Sequence, residues 1–134
     1  MDRWLFLQAY TGLGMARLVL QTIPFAKLAP FLGKHMTESI DEIPLELMEQ
    51  ARRVAWAIRR ASPVTPWTSD CLPQAIAAKY LLRLRGIDST LYLGAALDDA
   101  RSLKAHAWLR CGSAYVTGGP GHKEFGVLAT FAEE

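Results

Sequence analysis

Hydrophobic residues in the first part of the chain recur at helical spacing and then give way to a polar, proline-bearing stretch. Between Trp4 and Leu20 the spacing places Leu13 and Ala16 on one apolar side of a predicted helix. Further short helical or irregular structure is expected across Pro24 and Pro30, because each proline interrupts a helix. This apolar segment is expected to pack in the core, and docking on a partner is the alternative.

Two more helices are predicted in the middle of the chain. One begins at Pro44, since proline is well tolerated in a first helical turn, and it ends near Arg59 and Arg60, where positive charge is favourable. The other runs from about Gln74 to Leu84, where alanine and leucine have high helix propensity, and it stops at Gly86. The basic residues of the first of these helices are interpreted as a solvated face.

After Gly86 the hydrophobic pattern changes from helical to alternating. Three strands are predicted at Thr90–Leu97, Leu103–Cys111 and Ala114–Thr117, and Gly112 and Ser113 form the turn between the last two. The chain is therefore predicted to be an α+β protein in which N-terminal helices are followed by an antiparallel sheet.

Composition narrows the classes of function. The chain has 134 residues, of which 51% are hydrophobic and 21% charged, so it fits one compact domain with a packed core. The formal charge of +2 is too near zero to indicate nucleic-acid binding. Arg17, Lys27 and the two prolines interrupt the apolar N-terminal stretch, so neither membrane insertion nor a secretion signal is expected and the protein is predicted to be cytoplasmic.

The two cysteines are expected to have different roles. Cys71 lies just before Pro73, where Ser69 or Asp70 can cap the following helix, so its sulfur is predicted to sit at a helix N-terminus. There the helix dipole and unpaired N–H groups favour a nucleophilic thiolate and can receive an oxyanion. A buried, inert cysteine is the competing interpretation. The cysteines have neither disulfide-framework nor zinc-site spacing, and no cofactor or metal is expected.

The strand Leu103–Cys111 carries a candidate base. His106 and Trp108 share one face of this strand, while Cys111 has the opposite parity and is expected to pack on the other side. A helix N-terminal cysteine and a histidine on a later strand are the two parts of a thiol nucleophile with its general base. Trp108 is expected either to line a peptide groove or to pack in the core. The remaining histidines, His35 and His122, lie in connecting segments and are expected to be exposed.

These residues carry a family resemblance that covers nearly the whole chain. SDCLPQAIAAKYLLRLRGI followed by LYLGAALDDARSLKAHAWLRCG resembles the transglutaminase-like cysteine protease subunit of lasso-peptide biosynthesis. The resemblance implies a papain/transglutaminase-like core and removal of the leader from a ribosomally made precursor peptide, after which a separate cyclase closes the ring. It also implies that Cys71 is the nucleophile and His106 the base.

The third member of such a triad is an acid that orients the histidine, and in related folds it lies about a dozen residues after the histidine. That neighbourhood, Val116 to Gly119, contains no carboxylate. Asp98, at the end of the preceding strand, is predicted to take this place, with Asp99 as the second choice. A backbone carbonyl or Thr117 is the remaining alternative.

The resemblance also divides the chain and predicts its partners. Residues 1–40 are expected to form an apolar helical arm and residues 41–134 the protease core. A chain of this length is expected to need a separate leader-recognition protein. The arm is a candidate surface for that protein or for the cyclase, which is the second candidate partner. A non-hydrolytic acyltransferase and a catalytically silent peptide-binding subunit are the alternative functions.

Overall fold

The computed structural model describes residues 3–36, 38, 42–66, 70–97, 100–119 and 122–132. Four α-helices occupy the first two thirds of this part of the chain: α1 (Arg3–Thr22), α2 (Phe25–Leu32), α3 (Leu45–Ala61) and α4 (Cys71–Leu84). The strands are β1 (Lys34–His35), β2 (Thr90–Leu97), β3 (Leu103–Cys111), β4 (Ala114–Thr117) and β5 (Gly126–Ala132). The α+β class predicted from the sequence is therefore confirmed.

The helices form as the apolar spacing predicts. In α1, Leu5, Ala9, Leu13 and Ala16 recur every three or four residues and are buried against α3 and α4. The third helix begins one residue after Pro44, which occupies its N-cap position. None of the helices in the described residues is both long and apolar enough to cross a membrane.

The five strands form one antiparallel sheet in the order β1-β5-β2-β3-β4. Strands β2, β3 and β4 have the predicted bounds, and β5, which the sequence analysis did not predict, pairs between β1 and β2. The register places Gly94 of β2 opposite His106 of β3. The chain therefore crosses from β4, at one edge, over β3 and β2 before it returns as β5.

The two faces of the sheet have different surroundings. Ala107 and Leu109 of β3 belong to the core cluster that the helices share, whereas Trp108 points to the opposite face. There its ring stacks on Tyr92, with 5.4 Å between ring centroids, and it is only 2% exposed. Trp108 is thus a buried residue, and the alternative that it lines an open groove is wrong.

Hydrogen bonds at one end of α4 fix the helix against the sheet. The ammonium group of buried Lys79 donates to the backbone carbonyl of Ser89 at 2.6 Å and to its hydroxyl at 3.1 Å. This contact fixes the C-terminal half of α4 where β2 begins and β3 ends.

Candidate functional site

Cys71 is the first residue of α4 and is partly buried against the core. Asp70 precedes it in an extended conformation, and the first intrahelical bond runs from the Gln74 N–H to the Asp70 carbonyl at 3.1 Å. The N–H groups before Gln74 are not used by the helix, and Pro73 contributes none. The predicted helix N-terminus is confirmed. Asp70 occupies the N-cap position, as predicted, but its side chain makes no capping hydrogen bond, and Ser69 lies outside the described residues.

His106 is oriented by the backbone of the turn that follows β4. Its Nε2 lies 2.8 Å from the carbonyl oxygen of Gly118. A carbonyl oxygen can only accept a hydrogen bond, so Nε2 is the protonated nitrogen, and in the neutral ring Nδ1 keeps its lone pair. The ring is further confined by Trp108 and Phe125, whose centroids lie 5.6 and 5.0 Å from its own. The imidazole is thus held in the tautomer that a base acting through Nδ1 requires.

Only glycine allows Gly118 to approach His106 in this way. Gly118 has a φ of +66°, and a Cβ atom there would lie 2.5 Å from the Ala107 carbonyl oxygen and 3.1 Å from His106 Nε2. The alternative that a backbone carbonyl orients the ring is confirmed for the described residues. Thr117 does not take this role, because its hydroxyl is buried without a hydrogen-bond partner and the register places it opposite Leu109.

This geometry does not test the predicted acid. Asp98 and Asp99 lie outside the described residues, so their positions stay predictions. The single Nε2–H donor of His106 is already engaged by Gly118. A carboxylate could therefore reach this ring as an acceptor only at Nδ1, and only when that nitrogen is protonated.

Cys71 and His106 stand on different elements, α4 and β3. The His106 side chain projects from the sheet face that carries Trp108, whereas α4 packs on the face of Ala107 and Leu109. In the part of the chain that the structure describes, no hydrogen bond joins the Cys71 thiol to the His106 ring. The structure thus gives the helix N-terminus and the oriented imidazole as two separate parts.

The other cysteine is placed as the sequence predicts. Cys111 is completely buried and its sulfur lies 3.6 Å from the Asp88 carbonyl oxygen. Neither Cys71 nor Cys111 forms a disulfide. Of the two, only Cys71 has a sulfur at a helix N-terminus with part of the residue open to solvent.

The remaining histidines have unequal surroundings. His35 is exposed on the edge strand β1, as predicted. The expectation that His122 is exposed is wrong, because the residue is half-buried. Its ring centroid lies 4.2 Å from that of Tyr115 in a tilted arrangement, and the ring hydrogen-bonds the Gly119 carbonyl. Sequence spacing could not reveal this, since the Tyr115 contact depends on the turn after β4. Within the described ranges no group of three or more potential ligand side chains could hold a metal ion.

Comparison with known proteins gives one family. Residues 19–130 match the model of the transglutaminase-like superfamily. The matched region covers most of the chain and includes α3, α4, Cys71 and His106. Comparisons with curated proteins and with solved structures give no significant match.

Proposed function

The chain belongs to the transglutaminase-like superfamily, whose members usually use a catalytic cysteine, and from this premise we propose that it is a cysteine peptidase. Its substrate in this proposal is a lasso-peptide precursor made on the ribosome, from which it removes the leader before ring closure. The observation that carries the proposal is the hydrogen bond from His106 Nε2 to Gly118, which leaves Nδ1 able to accept the proton of a thiol.

The proposed reaction is acyl transfer to water. His106 Nδ1 takes the proton of Cys71, and the thiolate attacks the carbonyl carbon at the leader–core junction. The free N–H groups at the start of α4 stabilise the oxyanion. The core peptide leaves as an amine that receives the proton from His106, and the leader stays bound to sulfur as a thioester. Water then hydrolyses the thioester and releases the leader with a free carboxylate.

The reaction requires the thiol and the ring to come together when substrate binds. Catalytic hydrogen bonds are often long or absent before the substrate complex forms and shorten within it. The Cys71 thiol stands at the start of α4, and His106 is the third residue after Leu103 at the start of β3. The proposal therefore requires substrate binding to bring the start of α4 and this part of β3 into contact.

An open strand edge beside His106 favours an extended peptide as the substrate. Strand β4 pairs only with residues 109–111 of β3. Among the described residues, the Leu103–Ala105 part of β3 consequently has no partner strand on that side. Extended peptides commonly add to such an edge through backbone hydrogen bonds, which depend little on the peptide's sequence.

We also propose that a separate leader-recognition protein presents the precursor in the cytoplasm and docks on α1. This helix buries one side and exposes large apolar side chains on another, among them Trp4 at 66%, Leu7 at 51%, Met15 at 56% and Leu18 at 54%. An exposed apolar surface of this kind is typical of an interaction site. Trp4→Glu together with Leu18→Glu is expected to abolish this association and leave alkylation of Cys71 unchanged.

The test is to mix precursor peptide, recognition protein and this chain, and to weigh the products. Two fragments whose masses sum to precursor plus water support the peptidase. An amine adduct of the leader indicates acyl transfer instead, and intact precursor with every partner present contradicts the proposal. Bound but uncleaved precursor would indicate the silent binding subunit.

The chain offers matched controls for both residues. Cys71→Ala and His106→Ala are expected to abolish cleavage. Cys111→Ala removes a buried thiol and His35→Ala an exposed imidazole, so both are expected to keep cleavage. Loss of activity in the controls as well would assign the effect to folding.

A further inference from the structure

We propose that His122 is a positioning residue, which fixes the turn whose carbonyl orients His106. This inference rests on the proposed function in one respect, namely that His106 acts as the base. Residues that act through another group are found where a ring or carbonyl must be held within a fraction of an ångström. The turn at Gly118 and Gly119 is such a place.

The two histidines use consecutive carbonyl groups. His106 Nε2 lies 2.8 Å from the oxygen of Gly118, and His122 Nδ1 lies 2.6 Å from the oxygen of Gly119. Both oxygens can only accept, so both ring nitrogens donate. His122 therefore ties down the peptide group directly after the one that His106 uses.

Packing holds the His122 ring in place for this bond. Its centroid lies 4.2 Å from the ring of Tyr115 and 5.7 Å from the ring of Trp108. Gly119 is pressed against the same tyrosine, since a Cβ at Gly119 would lie 2.8 Å from the Cβ of Tyr115. The turn and the His122 ring thus pack against the same residue of β4, Tyr115.

A turn with two successive glycines needs such a restraint. Glycine has the widest choice of backbone conformations, so Gly118 and Gly119 do not by themselves fix the direction of either carbonyl. A displacement of the Gly118 oxygen by about 1 Å would lengthen the bond to His106 beyond hydrogen-bonding range. The Nδ1–H donor of His122 opposes that displacement at the neighbouring peptide group.

Two substitutions separate this role from simple packing. In His122→Asn the amide nitrogen takes the place of Nδ1 and can still donate to Gly119, but the ring contacts with Tyr115 and Trp108 are lost. In His122→Phe the ring contacts are kept and the side-chain donor is lost, while the backbone N–H of residue 122 can still bond the Gly119 oxygen, which it reaches at 3.2 Å. A role in packing alone predicts that Phe is the better replacement, whereas the proposed role predicts that Asn is.

The direct readout is the ¹⁵N spectrum of the His106 ring in the intact protein. We expect separate signals for protonated Nε2 and unprotonated Nδ1 in the parent protein and in His122→Asn, and averaged signals of two exchanging tautomers in His122→Phe. Cleavage should follow, with kcat about tenfold to a hundredfold lower in His122→Phe and near the parent value in His122→Asn. KM should change little, because the His122 ring is engaged by Tyr115 and the Gly119 carbonyl.

The inference is overturned if His122→Phe keeps the separate His106 signals, or if His122→Asn averages them while remaining folded. The spectrum needs no substrate, so it tests the positioning role even if the precursor is not cleaved. Absence of cleavage with intact His106 signals would count against the proposed function alone.

Discussion

Replacing Gly118 by alanine is the substitution that the geometry of the site opposes most strongly. The added Cβ would lie 2.5 Å from the Ala107 carbonyl oxygen, 3.0 Å from the Trp108 Cβ and 3.1 Å from His106 Nε2. The first two of these atoms belong to the rigid part of β3 and cannot move aside easily. The turn itself must therefore shift, and its carbonyl must move away from His106.

The magnitude follows from two contributions. A φ of +66° costs a non-glycine residue about 1 kcal/mol. Overpacking of a tight site adds about 1–3 kcal/mol. Gly118→Ala should thus lower the free energy of unfolding by about 2–4 kcal/mol. Each kcal/mol lost should lower Tm by ~4 °C. Loss of the oriented base should lower kcat by about a hundredfold or more.

Gly86→Ala is the matched control. Gly86 has a φ of +71°, nearly that of Gly118, but a Cβ there would meet nothing within 4 Å. Gly86→Ala should lower the free energy of unfolding by only about 1 kcal/mol and keep full activity. Thermal unfolding and peptide cleavage are measured for both variants and the parent. The reasoning is refuted if Gly118→Ala is no less stable than Gly86→Ala and cleaves at the parent rate.

Three further outcomes are expected. Iodoacetamide should modify Cys71 in the folded protein and reach Cys111 only on unfolding, because Cys111 is fully buried. Peptide mapping measures both alkylation rates, and equal rates at the two cysteines would contradict this. Burial raises the pKa of Tyr92 above its ordinary value of 10.0, so the contribution of Tyr92 to stability is complete below pH 10.0 and is lost as pH rises through the raised pKa. Denaturant titrations should therefore show that the difference in unfolding free energy between the parent and Tyr92→Phe narrows above pH 10.0. A constant difference would argue against this. Lys79→Met should lower the free energy of unfolding by about 1–3 kcal/mol in the same titrations by removing both hydrogen bonds that the ammonium donates to Ser89. This loss should exceed that of Ser89→Ala, which removes only the hydroxyl acceptor.

Local signals predicted most of the fold. Strands β2 to β4 follow from alternation and from Gly112 and Ser113 at the turn, since these signals lie next to one another in the chain. Strand β5 was missed because its pairing with β2 joins residues more than thirty positions apart, as Leu91 opposite Phe131 shows. Pairing over such a distance leaves no mark on local periodicity.

The site, too, was predicted only where its signals lie in neighbouring residues of the sequence. The position of Cys71 at the start of α4 depends on neighbouring residues and was correct. The described partner of His106 is a backbone carbonyl, which carries no residue-type signal, so the sequence offers it only as an alternative to Asp98, whose position stays a prediction. The contact of His122 with Tyr115 is equally invisible in the sequence, because it forms only when the turn after β4 folds back.

The central claim, that Cys71 carries the leader as a thioester during cleavage, is tested most directly by trapping that intermediate. Precursor, recognition protein and this chain are mixed, quenched in acid at early times, digested and mapped by mass spectrometry. The account predicts the leader attached through its C-terminal carbonyl to Cys71, an adduct that hydroxylamine releases and that is absent in His106→Ala. Cleavage that proceeds undiminished in Cys71→Ala, or an adduct on Cys111, would contradict it.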